Sequence, residues 1–256
     1  MDSRQSIGIR DALQGNSYPG RGIIAGCSPD GTSAVIAYFI MGRSANSRNR
    51  ILAEAGDILR TQPYDAAKVE DPSLIIYTAV RRFKDHIIVS NGDQTDTIYD
   101  GLSEGTGFYK SLESRSFEPD APNYTPRISA DLHIPGMTQR TDTPAKTSSA
   151  ADGFSYSLSI LKSADADGSE CIRCGFDYKS IPGAAHFIHT YARDGNPLPS
   201  FEGEPVCIDV PGSIDDFADE IWEALDMENR ISLYVRYTDI RNGDFISRLI
   251  NKNTTK

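Results

Sequence analysis

A single tryptophan and four cysteines occur in 256 residues. Four cysteines are too few for a disulfide scaffold at this length, so reduced thiols are expected. No stretch approaches the roughly 18 apolar residues that a membrane-spanning helix needs. The longest apolar run, residues 34–41, has the length of a strand. Positive charge is also short: 26 Lys and Arg face 36 Asp and Glu, a net −10 with His neutral. That balance argues against sequence-independent binding of DNA or RNA, which works by neutralising phosphates. A single small phosphate ester, needing only a few local donors, stays open. The first residues, Met-Asp-Ser-Arg-Gln-Ser, hold no apolar signal core after a basic start, which predicts a cytoplasmic protein without a membrane partner. G-x-S-x-G, G-x-x-x-x-G-K-[ST] and a strand-borne G-x-G-x-x-G are missing, so the usual signatures of serine hydrolases, ATPases and dinucleotide binders do not apply. No internal repeat or long low-complexity tract is present.

What the chain does have is ordinary globular substance. Hydrophobic residues make up 39% and charged residues 24%, and at this length about three quarters of the unfolded surface can be buried. Residues 1–17 read as a short extension with one helical turn around 9–13. A hairpin follows, residues 22–27 and 33–40, around Ser-Pro-Asp-Gly, with Pro29 and Gly31 at positions that suit a tight turn. Further strands are expected at 74–80, 86–89, 127–133, 154–161, 170–176, 184–191 and 231–237. Residues 154–161 alternate strictly, apolar at even positions. Short helices are expected at 95–102 and 106–112, the first capped by Asp93 or Thr95. Residues 214–225 carry one apolar helical face, with Ser213 as cap and acidic residues in the first turn. Residues 138–152, rich in Thr, Ser, Ala and Asp, suit a surface loop. The 12 tyrosines sit beside apolar alternation, which suits strands with a wet edge. Hairpins outnumber regular strand–helix alternation, which predicts an α+β fold with antiparallel sheets. No linker splits the chain, so one domain is expected over residues 18–250, with a polar tail at 251–256.

Candidate chemistry lies at strand ends. Cys171 and Cys174 form one C-x-x-C, but residues three apart on a strand point to opposite faces, and no second ligand pair follows. His186 and His189 diverge for the same reason, so no metal site is expected. Cys27 ends a strand before a turn without a mark of activation. Three polar stretches remain. Tyr18-Pro-Gly-Arg-Gly22 puts glycines around Arg21. Residues 41–50 hold three arginines, two serines and two asparagines directly after the most apolar strand. Such a run suits a solvated turn, but its place at a buried strand end also suits phosphate, which guanidinium forks bind well. Ser90-Asn-Gly-Asp-Gln-Thr-Asp96 reads as a turn with a helix cap or as a ligand-facing donor set. Residues 117–128 hold three prolines that stiffen the backbone between Glu118 and Arg127.

Gly-Arg-Gly, Arg-Ser-x-x-x-Arg, Ser-Asn-Gly-x-x-Thr-Asp and Asn-Tyr-Thr-Pro-Arg-Ile, in that order, resemble the stand-alone, archaeal type of IMP cyclohydrolase, as distinct from the bifunctional purine enzyme. The likeness covers roughly residues 18–240 and is strongest from 18 to 130. It implies a four-layer αββα sandwich of the N-terminal-nucleophile-hydrolase kind, though here Met1 and a leading segment precede the first strand, so a self-processing nucleophile is not expected. It implies closure of 5-formamidoimidazole-4-carboxamide ribonucleotide to IMP with loss of water, the last step of de novo purine synthesis. A purine nucleotide would be the partner, no metal or organic cofactor is needed, and a homo-oligomer is left open. By motif, Arg43 would stabilise the oxyanion or orient the formyl group, Tyr77 would donate or relay a proton, and Glu118 would accept the carboxamide proton or orient that amide. Arg21, Ser44, Arg48 and Arg127 would hold phosphate and ribose; Asn91, Asp93 and Thr125 would meet the base and sugar hydroxyls. Two competitors are a nucleotide-binding module without turnover and an amide or formamide hydrolase using Cys27. Without the resemblance, the sequence favours reading Tyr77 as an edge tyrosine satisfied by water.

Overall fold

The structure, a computed structural model, describes residues 6–69, 76–137 and 153–254. The expected hairpin forms from β1 (Arg21–Cys27) and β2 (Ser33–Met41), paired antiparallel with Arg21 opposite Ile40. Its turn closes where the Gly31 N–H donates to the Ser28 carbonyl at 2.9 Å. Side chains alternate between two cores: Ile23, Ala25, Ile36, Tyr38 and Ile40 enter one, and Ile24, Val35, Ala37 and Phe39 the other. Burial on both faces explains why 34–41 reads as an unbroken apolar run.

The remaining strands are β3 (Ile51–Ala55), β4 (Ile58–Gln62), β5 (Thr78–Phe83), β6 (His86–Ser90), β7 (Arg127–His133), β8 (Ser155–Ser163), β9 (Cys171–Lys179), β10 (Ala184–His189), β11 (Val206–Asp209), β12 (Arg230–Asp239) and β13 (Phe245–Asn251). They build two sheets, ordered β11-β10-β1-β2-β12-β13 and β3-β4-β5-β6-β7-β8-β9, with neighbouring strands antiparallel. One apolar cluster draws on both sheets; Leu59, Val89, Leu132, Leu158 and Ile160 of the seven-stranded sheet meet Ile23, Ile36 and Ile188 of the six-stranded one. The strict alternation of β8 is realised: Tyr156, Leu158 and Ile160 are buried there.

Short helices cover the sheets' other faces. α1 (Ile9–Ala12) and α5 (Ile214–Ala224) pack with the six-stranded sheet, where Ile9, Phe217, Ala218 and Ile221 meet Ile24, Phe39 and Leu233. Burying a side chain such as Phe217 contributes about 1.5–3 kcal/mol. The Ser213 side chain accepts the Asp216 N–H at 3.3 Å, so the expected cap is in place. α2 (Ala45–Arg48) lies in the connection from β2 to β3. α3 (Gln94–Ser103) and α4 (Phe108–Ser111) contribute Ile98 and Phe108 to a third cluster with Ile88 and Leu161. The architecture is thus mixed α and β, mostly strand, in two antiparallel sheets.

Three expectations need correction. Strands β3, β4, β11 and β13 were not expected. Several tyrosines are not at wet edges: Tyr38, Tyr156 and Tyr234 are buried, whereas Tyr64 and Tyr109 are exposed, and the buried hydroxyls bond inside the protein to Tyr77 (2.7 Å), His186 (2.8 Å) and Glu54 (2.5 Å). Asp93 precedes α3 but makes no side-chain cap bond. The predicted loop at 138–152 lies outside the described residues. Cys171 and Cys174 do face opposite ways, one toward the α3–α4 cluster and one toward the inter-sheet core.

The pairing registers bring many chain segments to one end of the molecule. The start of β1 lies beside the ends of β2 and β10, and Ser90 at the end of β6 pairs with Ser129 near the start of β7. The β2–β3 connection passes from one sheet to the other at this end, carrying residues 42–50.

Candidate active site

Two adjoining pockets lie at this end. The outer one, about 280 Å³, is lined by Tyr18, Arg21, Arg43, Ser44, Asn46, Ser47, Arg50, Asp120, Asn123, Thr125, Tyr191 and Leu198. The inner one, about 80 Å³, is lined by Arg21, Arg50, Asn91, Glu118, Asp120 and Thr125. Four residues are common to both, so they form one cleft. Larger depressions exist elsewhere. One of about 810 Å³ involves Arg81, Arg82 and Lys84, but Arg81 is paired with Asp96 and Arg82 donates to the Lys84 and Met137 carbonyls.

The cleft is distinguished by buried guanidinium nitrogens that find no partner among the described residues. Arg21 projects from the first residue of β1, half-buried among the phenols of Tyr77, Tyr191, Tyr38 and Tyr18. Among the described residues, its Nε has no hydrogen-bond partner; neither do Nε and Nη1 of buried Arg50, Nε of Arg127, or Oδ1 of Asn46. Burial first, and then the Arg21 charge, hold the Arg50 guanidinium below its usual range. Two close guanidiniums in a desolvated pocket are costly unless an anion joins them. Their donor-only chemistry specifies that anion as phosphate, carboxylate or a developing oxyanion.

A rigid acidic loop faces these arginines. The Glu118 N–H donates to the Thr125 carbonyl at 2.9 Å. Asp120 accepts from the Thr125 N–H at 2.6 Å and from its hydroxyl, which also shares a hydrogen bond of 2.6 Å with the Tyr191 hydroxyl. Tyr124 holds a left-handed φ of 42°, a cost that the surrounding bonds sustain. Burial raises the Glu118 carboxyl above its usual range, with Asp120 and Asp93 adding to the shift and Arg127 and Arg21 opposing it. Arg127 bonds Asp93 at 2.6 Å and Gln94 at 2.7 Å, and lies 3.2 Å from Glu118. Gly92 makes room: a Cβ there would stand 2.6 Å from Arg127 Nη1 and 3.2 Å from Glu118 Oε1.

Of the residues expected from sequence, the cleft brings together Arg21, Arg43, Ser44, Asn91, Glu118 and Thr125. Arg43 lies at the outer rim, above Tyr18 and bonded to Asp194 and the Gly195 carbonyl. Ser44 caps α2 through the Ser47 N–H. Asn91 is committed to the backbone of Pro126 and Ile128. Tyr77 is buried beside Arg21 and bonded to Tyr38, rather than at a wet edge. Tyr77 is outside the lining of both pockets, and three more residues are set apart from it. Arg48 turns back to the Gly42 carbonyl and Asn229. Asp93 pairs with Arg127 and Arg115, which draw its carboxyl below the usual range against the opposing effect of its own burial. Arg127 stands behind Glu118. Sequence reasoning missed Arg50, Asp120, Asn123 and Tyr191. For Arg50, the available signal was its place at a strand start, immediately before β3, much as Arg21 opens β1. Cys27 sits at the other end of β1, roughly 20 Å from Arg21 at the strand rise. It is buried, and burial followed by the Asp30 charge pushes its thiol up to about 11. This is the reverse of an activated nucleophile.

Two arginines whose buried nitrogens find no partner among the described residues, beside a carboxyl of raised pKa at the ends of two antiparallel sheets, have the chemistry to hold a small anion and exchange a proton. The chain belongs to the IMP cyclohydrolase-like protein family, whose model matches residues 18–243. It is similar to the IMP cyclohydrolase of Methanothrix thermoacetophila, 27% identical over 197 residues, which are 74% of this chain and 90% of that one. It is also similar to the IMP cyclohydrolases of Methanopyrus kandleri (28% over 150 residues; 56% and 74% of the two chains) and Methanococcus aeolicus (26% over 172; 64% and 80%). Among the described residues, no helix is long and apolar enough to cross a membrane.

Proposed function

We propose that the cleft closes 5-formamidoimidazole-4-carboxamide ribonucleotide to IMP. The observation that carries this reading is the juxtaposition around one small cavity of Glu118 with Arg21 and Arg50, whose buried nitrogens find no partner among the described residues. In the forward reaction the carboxamide nitrogen attacks the formyl carbon and gives one proton to Glu118. The formyl oxygen gains negative charge beside a guanidinium and takes a proton to become a hydroxyl. That hydroxyl leaves as water on gaining a second proton, while the formamide nitrogen loses its own and the C=N bond forms. Because both arms belong to one molecule, holding them together supplies much of the rate. Glu118, its proton affinity raised chiefly by burial, is suited first to accept and then to return a proton. Tyr77, bonded to Tyr38 and next to Arg21, is placed to relay the proton to oxygen. The rim position of Arg43 beside Ser44 supports a role at the 5′-phosphate rather than at the oxyanion, which falls to Arg21 and Arg50. Asn91, Thr125 and the Asp93–Arg127 pair then hold the floor against the base and sugar, while Arg48 acts by fixing the 42–50 loop. Helices on the outer faces of two stacked sheets support the finer αββα arrangement of the N-terminal-nucleophile-hydrolase kind, in a single domain over residues 18–250.

The test is to supply purified protein with the formamido nucleotide in metal-free buffer and follow the hypoxanthine absorbance. The expected result is catalytic conversion to IMP. Saturable IMP binding without any turnover would instead make the chain a nucleotide-binding module.

A further inference from the structure

The opposite end of the seven-stranded sheet holds a second cluster that the ring closure does not use. His86, the first residue of β6, and His133, the last of β7, are direct cross-strand partners, so both imidazoles leave the same face. Their rings are stacked at 4.5 Å, 13° from parallel. Asp85 precedes His86 in the hairpin turn, where Lys84 takes a left-handed φ of 52° and the Asp85 carbonyl accepts the Ile134 N–H at 2.8 Å. The backbone thus fixes all three side chains. His133 Nε2 lies 3.1 Å from one Asp85 oxygen, and His86 Nε2 lies 3.7 Å from the other.

A fourth residue sets the chemistry. Both carboxylate oxygens of Asp131 lie 3.0 Å from His86 Nδ1. An ionised carboxylate only accepts, so Nδ1 carries a proton, and when His86 is neutral its Nε2 lone pair faces Asp85. The 3.7 Å gap is too long for a hydrogen bond and leaves room for a cation that both atoms could ligate. Carboxylate to imidazole to metal is the arrangement by which proteins orient a histidine ligand.

We infer that Asp85, His86 and His133 form a binding site for one divalent cation of the borderline class, zinc, cobalt or nickel, with Asp131 as the positioning residue. Their ligand atoms all lie within 4.8 Å of one another. Zinc bonds of about 2.0–2.1 Å place ligand atoms roughly 3.3 Å apart, so binding requires half-exposed His133 to swing out of its stack with His86 until both Nε2 lone pairs meet at one point. Two imidazoles and one carboxylate select these metals over magnesium or calcium, and the partial exposure of the cluster leaves a path of entry and room for water as the remaining ligand. A bound ion would tie the β5–β6 turn to the end of β7, roughly 14 Å along β6 from the proposed active site. It would act on stability without touching the reaction.

The test is titration of chelator-stripped full-length protein with Zn2+ by calorimetry, with Co2+ as an optical probe. The expected result is one equivalent per chain, a visible cobalt band without thiolate charge transfer, and a raised melting temperature. His86→Ala and His133→Ala should each lose over 100-fold in affinity, Asp131→Asn about 10- to 100-fold, and Cys171→Ser/Cys174→Ser nothing. Near-UV circular dichroism checks that each variant folds. Absence of saturable binding, equal affinity in folded His133→Ala, or loss of binding in the cysteine variant overturns the assignment.

Discussion

At the residue scale, Glu118 and Arg50 make opposite demands on stability and function. The Glu118 carboxyl is raised in the folded state, chiefly by burial. A carboxyl raised in this way adds stability while protonated and loses it as pH rises through the folded-state pKa. Glu118→Gln should therefore melt above the wild type at neutral pH, and the gap should close in acid, below the ordinary glutamate range. A melting series over pH checks this. Arg50→Met removes a buried charge without partners, so the variant should melt no lower than the wild type. It should nevertheless bind IMP more weakly by about 1.5–3 kcal/mol, the worth of a hydrogen bond to a charged group. Direct IMP titration measures that loss. Arg21 and Glu118 were legible in the sequence because glycines and prolines flag their surroundings. Arg50 was not, because Arg43, Arg48 and Arg50 lie within one polar run, and only the path of the chain into β3 decides which of them turns inward.

At the element scale, the clearest periodicities gave the clearest structure. β8 alternates because one face meets the inter-sheet core, and α5 carries its apolar stripe because Phe217 and Ile221 meet the outer face of the other sheet. Ser213→Ala should remove the α5 cap and cost about 1 kcal/mol, measured by denaturant unfolding. β3, β4 and β13 were illegible for an identifiable reason. Several of their side-chain contacts are polar: Glu54 of β3 accepts from Tyr234 of β12 at 2.5 Å and from Ser247 of β13 at 2.7 Å, and Asp57 in the β3–β4 turn accepts from Arg236 of β12 at 2.9 Å. A strand with polar residues at such contacts shows no clear apolar alternation. The same limit hides His86 and His133, whose pairing depends on register between strands 47 positions apart.

At the scale of the whole molecule, the two sheets are joined by polar pins as well as by the apolar core. Asn251 of β13 accepts the Leu52 N–H at 2.8 Å, donates to the Leu52 carbonyl at 2.9 Å and accepts from Ser232 at 2.7 Å. Asn251→Ala would leave these buried groups unsatisfied, at about 1–3 kcal/mol for each orphaned group. Chemical denaturation should show a large loss of stability, and the β2–β3 connection that carries Arg43 to Arg50 should lose its anchor at β3. Antiparallel sheet pairing was legible from the hairpins; the stacking that brings six strand ends to one cleft was not, because it depends on long-range contacts that leave no local pattern. That convergence is what places Arg21, Arg50 and Glu118 together. The most direct measurement is single-turnover ring closure by Glu118→Gln beside the wild type, with IMP affinity measured on the same samples. Near-wild-type IMP binding with closure slowed by roughly 100- to 10,000-fold is the predicted result; closure at the wild-type rate would contradict the account.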